Sequence, residues 1–214
     1  MVEKKAIQDI FRDGGGLTRL YLAIKLRICP VRAVETYIPR KGTIVDLGCG
    51  NGLMAALAKL GSGERHVLGF DLDPKKVAAA DRLKARWPDL EFEVADLVVR
   101  AVPACDAVTI VDVLYLIPRA GQDAILRKCY DSLRPGGRLV LKEMDTKPLW
   151  KYAWNFLQET LAVKVIGFTL GRRFYFRSAD DFRAALKDIG FEVDVIRLDR
   201  HYWYPHTLYL SRKP

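Results

Sequence analysis

Nowhere in this 214-residue chain do about 18 apolar residues run together, the length a helix needs to cross a bilayer, so no spanning helix is expected. Histidine occurs three times and cysteine four times, at Cys29, Cys49, Cys105 and Cys129, with no C-x-x-C pair among them. Their wide spacing and apolar neighbours argue against a disulfide framework or a zinc site, so reduced thiols and no bound metal are expected. The opening MVEKKAIQDIF places charges at Glu3 and Asp9 where a secretory signal has an apolar stretch, which makes a cytoplasmic protein the expectation. Internal repeats and low-complexity tracts are also missing. What remains is an ordinary globular balance, 50% hydrophobic and 29% charged, with enough apolar material for one core.

The net charge of +9 is unevenly distributed. Residues 1–41 carry nine Lys/Arg against four Asp/Glu, and residues 146–177 carry six against one, so each segment holds a surplus of five. The other 141 residues sum to −1. The basic surplus therefore belongs to two flanking segments, which bears on what the protein meets.

Five apolar runs of strand length stand between helical stretches: TIVDL (43–47), HVLGFD (66–71), LEFEVA (90–95), AVTIVD (107–112) and RLVLKE (138–143). Strands alternating with helices imply a parallel sheet with helical crossovers. Asp73 can cap a helix with Pro74 at its first position and apolar spacing up to Trp87-Pro88. A second helix runs from about Gln122 to Leu133 and stops at Arg134-Pro135-Gly136-Gly137. Ser178 caps a helix through Ile189, with Asp181 at the capping-box position and Gly190 ending it. Two strands follow, FEVDVIRL (191–198) and TLYLS (207–211), joined as a hairpin.

The segment Val45-Asp46-Leu47-Gly48-Cys49-Gly50-Asn51-Gly52 ends the first strand and opens the first core helix. Glycines there let the backbone turn sharply and let a ligand approach the main chain without interference from Cβ. A plain tight turn is the bland alternative, but the strand before, the helix after and an acid downstream weigh against it. A dinucleotide fingerprint starting at Gly48 needs its third glycine at position 53, which is Leu53. The sequence reads G-x-G-x-G instead, with Asp46 two residues ahead.

DLGCGNG closely resembles motif I of class I S-adenosylmethionine-dependent methyltransferases, and further motifs match that family in order. VLGFD ends on Asp71, at the position whose carboxylate binds the donor's ribose hydroxyls. EVADL carries Asp96, at the position that accepts a hydrogen bond from the adenine amine. IVDVLYLIP (110–118) resembles the fourth-strand motif, and RPGGRLVLKE the turn into the fifth strand. The resemblance covers residues 43–143 strongly and 178–214 in outline. It implies an α/β, Rossmann-like fold with a seven-stranded, mostly parallel sheet of order 3-2-1-4-5-7-6, strand 7 antiparallel, and helices on both faces. S-adenosylmethionine is the implied cofactor, held by Asp46, Gly48, Cys49, Gly50, Asn51, Gly52, Asp71, Leu72, Asp96, Leu97 and Asp112.

The expected organisation is a single domain over 1–214: an N-terminal helical cap (1–41), a donor-binding core (42–145), a substrate-cover insertion (146–177), and a last helix with the terminal hairpin (178–214). Methyl transfer from a sulfonium is an in-line displacement in which the protein supplies alignment and a dry site, so a dedicated base is optional. The fourth strand ends in Asp112-Val113-Leu114-Tyr115 and lacks the N/D-P-P-Y/F and Pro-Cys signatures of base-methylating relatives. Tyr115 and Glu143 are the candidate catalytic residues, with Asp112, Asp145, His201 and His206 as further substrate-side groups. Each also has a plain reading as a packing or surface residue.

In LTRLYLAIKLRICP (17–30), Leu17, Leu20, Tyr21, Ile24 and Ile28 recur at helical spacing while Arg19, Lys25 and Arg27 fall on other faces. Residues 146–177 mix bases with aromatics such as Trp150, Tyr152, Trp154, Phe156 and Phe168. The expectation is that the two basic segments meet over the pocket of a small-molecule or lipid-like acceptor, with peripheral contact to an anionic membrane. An RNA methyltransferase is the alternative, weakened by the absence of an appended RNA-binding module. A non-catalytic donor-binding module is a third. The oligomeric state is not legible.

Overall fold

Strand-forming runs separated by capped helices fold as their order requires, and the computed structural model describes residues 3–11, 16–147 and 174–214 of the result. Three helices lead in: α1 (Lys4–Ile10), α2 (Gly16–Ile28) and α3 (Val31–Glu35). The core follows as β1 (Gly42–Leu47), α4 (Leu53–Gly61), β2 (Arg65–Asp71), α5 (Pro74–Asp81), β3 (Leu90–Val94), β4 (Cys105–Val111), α6 (Arg119–Ser132) and β5 (Leu133–Met144). It closes with α7 (Ala179–Ile189), β6 (Glu192–Arg197) and β7 (His206–Arg212). The strands form one seven-stranded sheet of order β3-β2-β1-β4-β5-β7-β6. Only β7 runs against its neighbours, pairing antiparallel with both β5 and β6.

Successive strand residues point to opposite faces, and the core divides accordingly. Ile44, Ala107, Val140 and Leu208 face the layer of α1 to α4. Val45, Val108, Leu139, Leu141 and Tyr209 face α6 and α7, where Ile125, Leu126, Phe182 and Leu186 cover them. The leading helices are stapled to the core by Arg65, which is 1% exposed. Its guanidinium donates to Glu35 at 2.6 Å and to the carbonyls of Ile38, Pro39 and Ala58.

The caps form as the sequence directs. Asp73 accepts from the Lys75 amide, and the Ser178 hydroxyl accepts from the Asp181 amide. Gly190 ends α7 at φ 117°, a conformation other residues resist. Boundaries differ in places. The helix expected from Gln122 begins at Arg119, directly after Pro118, and the α5 segment tightens into a 3-10 turn over Arg82–Ala85 before Trp87. In α2 the apolar positions divide between two environments, with Ile28 partly buried against the core. Leu22 and Leu26 enter the core, while Leu20 and Ile24 are 59% and 48% exposed. Helical spacing alone did not separate these faces, because apolar residues occupy both.

Candidate active site

Parallel strands ending together leave a crevice beyond their carboxyl ends, and the glycine loop lies there. Gly48, Gly50 and Gly52 have φ of 77°, 52° and 80°. The amides of Gly48 and Cys49 both donate to the Phe70 carbonyl, at 2.7 and 3.0 Å, binding the loop to the adjacent strand β2. A Cβ at Gly48 would lie 2.3 Å from Val113 Cγ2, and one at Gly52 would lie 2.6 Å from Leu83 Cδ1. At Gly50 the same direction is open space.

Asp71, at the end of β2, accepts from the Gly50 amide at 2.8 Å and from the Asp73 amide at 2.9 Å. Its carboxylate thus orders the loop it was expected to serve, and each oxygen keeps further accepting capacity. Leu72 beside it is half exposed. Asp96 is exposed and accepts from the Val98 amide at 2.8 Å, and the Leu97 side chain behind it is buried. Cys49 is buried and Asn51 half-buried in the loop; burial and the charge of Asp46 push the Cys49 thiol well above its usual range.

Asp46 is 2% exposed. Thr109 on β4 donates to its Oδ1 at 2.7 Å, and its Oδ2 is buried without a hydrogen-bond partner. Burial, with the nearby charge of Asp71, pushes its carboxyl up to about 7 against the opposing Thr109 bond. Asp46 lines a cleft with Gly48, Gly50, Asn51 and Val111, and Lys25 of α2 reaches into the same cleft.

Lys25 is held by Asp112, 2.6 Å away. Asp112 also pairs with Lys142 of β5 and accepts a weak bond from Cys29 at 3.3 Å. Burial alone would raise the Asp112 carboxyl, but Lys142 and then Lys25 override it and hold it well below the usual carboxylate range. Its two carboxylate oxygens are thus each engaged by an ammonium group. Asp112 also has φ 58°, the left-handed region, which a non-glycine residue enters at a cost of order 1 kcal/mol.

Glu143 faces the other side of the sheet. Its Oε1 accepts from the amides of Val113 at 2.9 Å and Leu114 at 2.8 Å, while Oε2 is buried without a partner. Burial, with the charge of Asp112, pushes its carboxyl up to about 7. Tyr115 is buried, its ring stacked on Phe176 with centroids 5.0 Å apart and tilted against Phe174. Met144 completes this cluster, with Tyr204 packed on it. Asp145 accepts from the Thr146 and Ala179 amides and pairs with Arg197. His206 is buried with Nε2 2.7 Å from the Ile28 carbonyl, and burial beside Lys142 pushes its pKa down to about 3. His201 is exposed.

Lys25, Lys142, Cys29 and Thr109 were not singled out from the sequence as site residues. Lys142 did carry a signal, a lone charge inside an apolar strand run. Of the first basic segment, Lys25 lies at this edge and other members lie elsewhere. Arg40 and Lys41 line a groove with Arg134 and Arg138 beside Gly42, at the opposite end of the sheet. Residues 148–173, including Trp150, Tyr152, Trp154, Phe156, Phe168, Arg172 and Arg173, lie outside the described residues. Among those described, no three His, Cys, Asp or Glu side chains group as metal ligands, and no helix is long and apolar enough to cross a membrane.

Comparison with known proteins adds independent findings. A family described as a methyltransferase domain matches residues 44–137. A protein named ubiquinone biosynthesis O-methyltransferase, from Xanthomonas axonopodis pv. citri (strain 306), is 33% identical over 116 residues, 51% of this chain and 46% of that one. The chain thus matches about half the length of its curated relatives. Among solved structures, an S-adenosylmethionine-dependent methyltransferase from Mesorhizobium loti superposes with a TM-score of 0.65 at 22% identity, covering 85% of this chain and 96% of that one. Human N-acetylserotonin methyltransferase, solved in complex with SAM, gives a TM-score of 0.70 at 18% identity, covering 98% of this chain and 59% of that one.

Proposed function

We propose that this chain, which matches a methyltransferase domain over residues 44–137 and has the sheet order expected of the class I fold, transfers the methyl group of S-adenosylmethionine to a small-molecule acceptor with an apolar body. One observation carries the reading. The glycine-loop cleft presents the ammonium of Lys25 and the carboxyl of Asp46, whose Oδ2 lacks a partner, beside the open space over Gly50. The amino-acid end of S-adenosylmethionine is a zwitterion, so its carboxylate suits Lys25 and its ammonium suits Asp46. Asp71 would take the ribose hydroxyls and Asp96 the adenine amine, with Leu72 and Leu97 against the base.

When bound, the donor supplies a methyl group on a positively charged sulfur, already activated for displacement. The protein's part is to hold that group in line with the acceptor and to keep water away. The cluster of Tyr115, Met144 and Phe176 supports an apolar acceptor, since it gathers aromatic and apolar side chains at and just beyond the ends of β4 and β5. Oxygen is the favoured acceptor atom, by the name of the Xanthomonas relative. Exposed Leu20 and Ile24, one turn apart on the helix that carries Lys25, support peripheral contact of that helix with a membrane.

Calorimetry with S-adenosylmethionine, on protein stripped of copurified nucleoside, tests the donor half. Labelled donor incubated with fractionated cell extract tests the acceptor half, with label expected in the apolar small-molecule fraction. No donor binding would remove the reading altogether, and label confined to RNA would replace the acceptor class.

A further inference from the structure

Lys142 and Glu143 are consecutive residues of β5, and they are 0% and 1% exposed. Their side chains leave opposite faces of the sheet, as successive strand residues must. Both reach the same three-residue turn at the end of β4. On one face Lys142 grips the carboxylate of Asp112, the one non-glycine residue with positive φ among those described. On the other face Glu143 receives the amides of Val113 and Leu114 through a single oxygen. The main chain closes the arrangement, with the Asp112 amide donating to the Lys142 carbonyl at 3.0 Å. The turn is therefore held from above and below by two neighbours on one strand.

What the turn does next is visible at Gly48. Val113 occupies the space that a Cβ there would need, so the turn lies directly against the first glycine of the loop. Val111, one residue before the turn, lines the same cleft as Gly48 and Gly50. Burying an ammonium and a carboxyl in a strand otherwise filled by Leu139, Val140 and Leu141 is unfavourable compared with apolar residues of similar size. A left-handed aspartate adds to that cost.

We infer that Lys142 and Glu143 are positioning residues, a two-sided clamp that fixes the turn at 112–114 and, through Val113, the glycine loop that receives the methyl donor. The inference deepens the proposed function and rests on it for the identity of the ligand. The clamp acts on the loop whether or not a ligand is present.

The test combines donor affinity with amide hydrogen exchange in the free protein. Glu143→Gln keeps an oxygen able to accept both amides, so S-adenosylmethionine affinity should stay within about threefold of the native protein, with slow exchange at Val113 and Leu114. Glu143→Leu should weaken binding by about tenfold or more and speed exchange at Gly48 to Gly52. Lys142→Met should do the same. Asp112→Gly in the Lys142→Met background should restore most of the affinity, because glycine takes the left-handed conformation freely and leaves no carboxylate to pair. Lowered melting temperatures with unchanged loop exchange and unchanged affinity would overturn the inference, leaving these residues to stability alone. It would also be overturned if Glu143→Gln were as damaging as Glu143→Leu. A native protein that binds no donor would sink the proposed function, and loop exchange in the variants would still decide the clamp.

Discussion

Thr109 on β4 donates to one oxygen of Asp46 on β1 at 2.7 Å and leaves the other oxygen buried and unpaired at the donor cleft. A half-satisfied buried carboxyl is pushed to the neutral form, and it is expected to ionise when a cationic group arrives.

The first prediction follows from that sign. Burial pushes Asp46 up to about 7, so in the free protein it is mostly protonated at pH 6 and mostly ionised at pH 8. If the donor's ammonium requires the ionised form, affinity rises with pH through this window, by about tenfold from pH 6 to pH 8. Calorimetry in buffers of different ionisation enthalpy should show proton release on binding near pH 6. Asp46→Asn should bind more weakly at pH 8 and lose the pH dependence. A flat profile in the native protein would detach Asp46 from the ammonium.

The second prediction concerns Lys25. Lys25→Gln should weaken S-adenosylmethionine binding by about tenfold, the range for one lost charge-assisted bond. Affinity for 5′-methylthioadenosine, which lacks the amino-acid end, should barely change. Equal losses for both ligands would mean that Lys25 acts only by holding Asp112.

The glycine loop was legible because its requirements are local. Strand, positive-φ glycines, helix and the downstream acid lie in one stretch, and the same holds for the Asp73-Pro74 and Ser178 caps. The clamp was not legible, although both of its β5 members were in view. Glu143 looked like a substrate-side acid because it stands at a strand end, and nothing local shows that two amides thirty residues away would claim it. Lys25 and Asp112 are 87 residues apart, and charge pairing at that separation is set by packing. Helical spacing likewise left the buried face of α2 open, and tertiary contact chose Leu22 and Leu26.

The third prediction separates the two duties of Asp71, which orders the loop through Gly50 and Asp73 and is proposed to meet the ribose. Asp71→Ala should weaken donor binding by about 1.5 to 3 kcal/mol and speed amide exchange at Gly50. Gly50→Val should be worse for binding, because a branched residue at φ 52° is strained and its side chain enters the open space above the loop. Unchanged dissociation constants for both variants would remove this loop from the site.

The last prediction uses exposure to separate donor binding from contact with an apolar or lipid surface. Asp46, Asp112 and Lys142 are shielded from solvent, and Lys25 is largely so, at 19% side-chain exposure. Salt screens such groups weakly, so donor affinity should change little when ionic strength rises from 0.1 M to 1 M, although the Debye length falls from about 10 Å to about 3 Å. Leu20 and Ile24 are exposed on the same helix, and Arg27 beside them is exposed as well. If this helix meets an anionic membrane, association with anionic vesicles should fall steeply over the same salt range. It should fall further in a Leu20→Ser, Ile24→Ser variant, because about 0.8 kcal/mol is lost for each methylene group no longer buried. Replacing two exposed apolar residues leaves the core intact, so donor affinity in that variant should match the native protein and serves as the control for folding. Vesicle sedimentation and calorimetry on the same preparations make the comparison. If the protein ignores anionic vesicles at low salt yet still transfers label to a soluble apolar acceptor, the membrane contact is withdrawn.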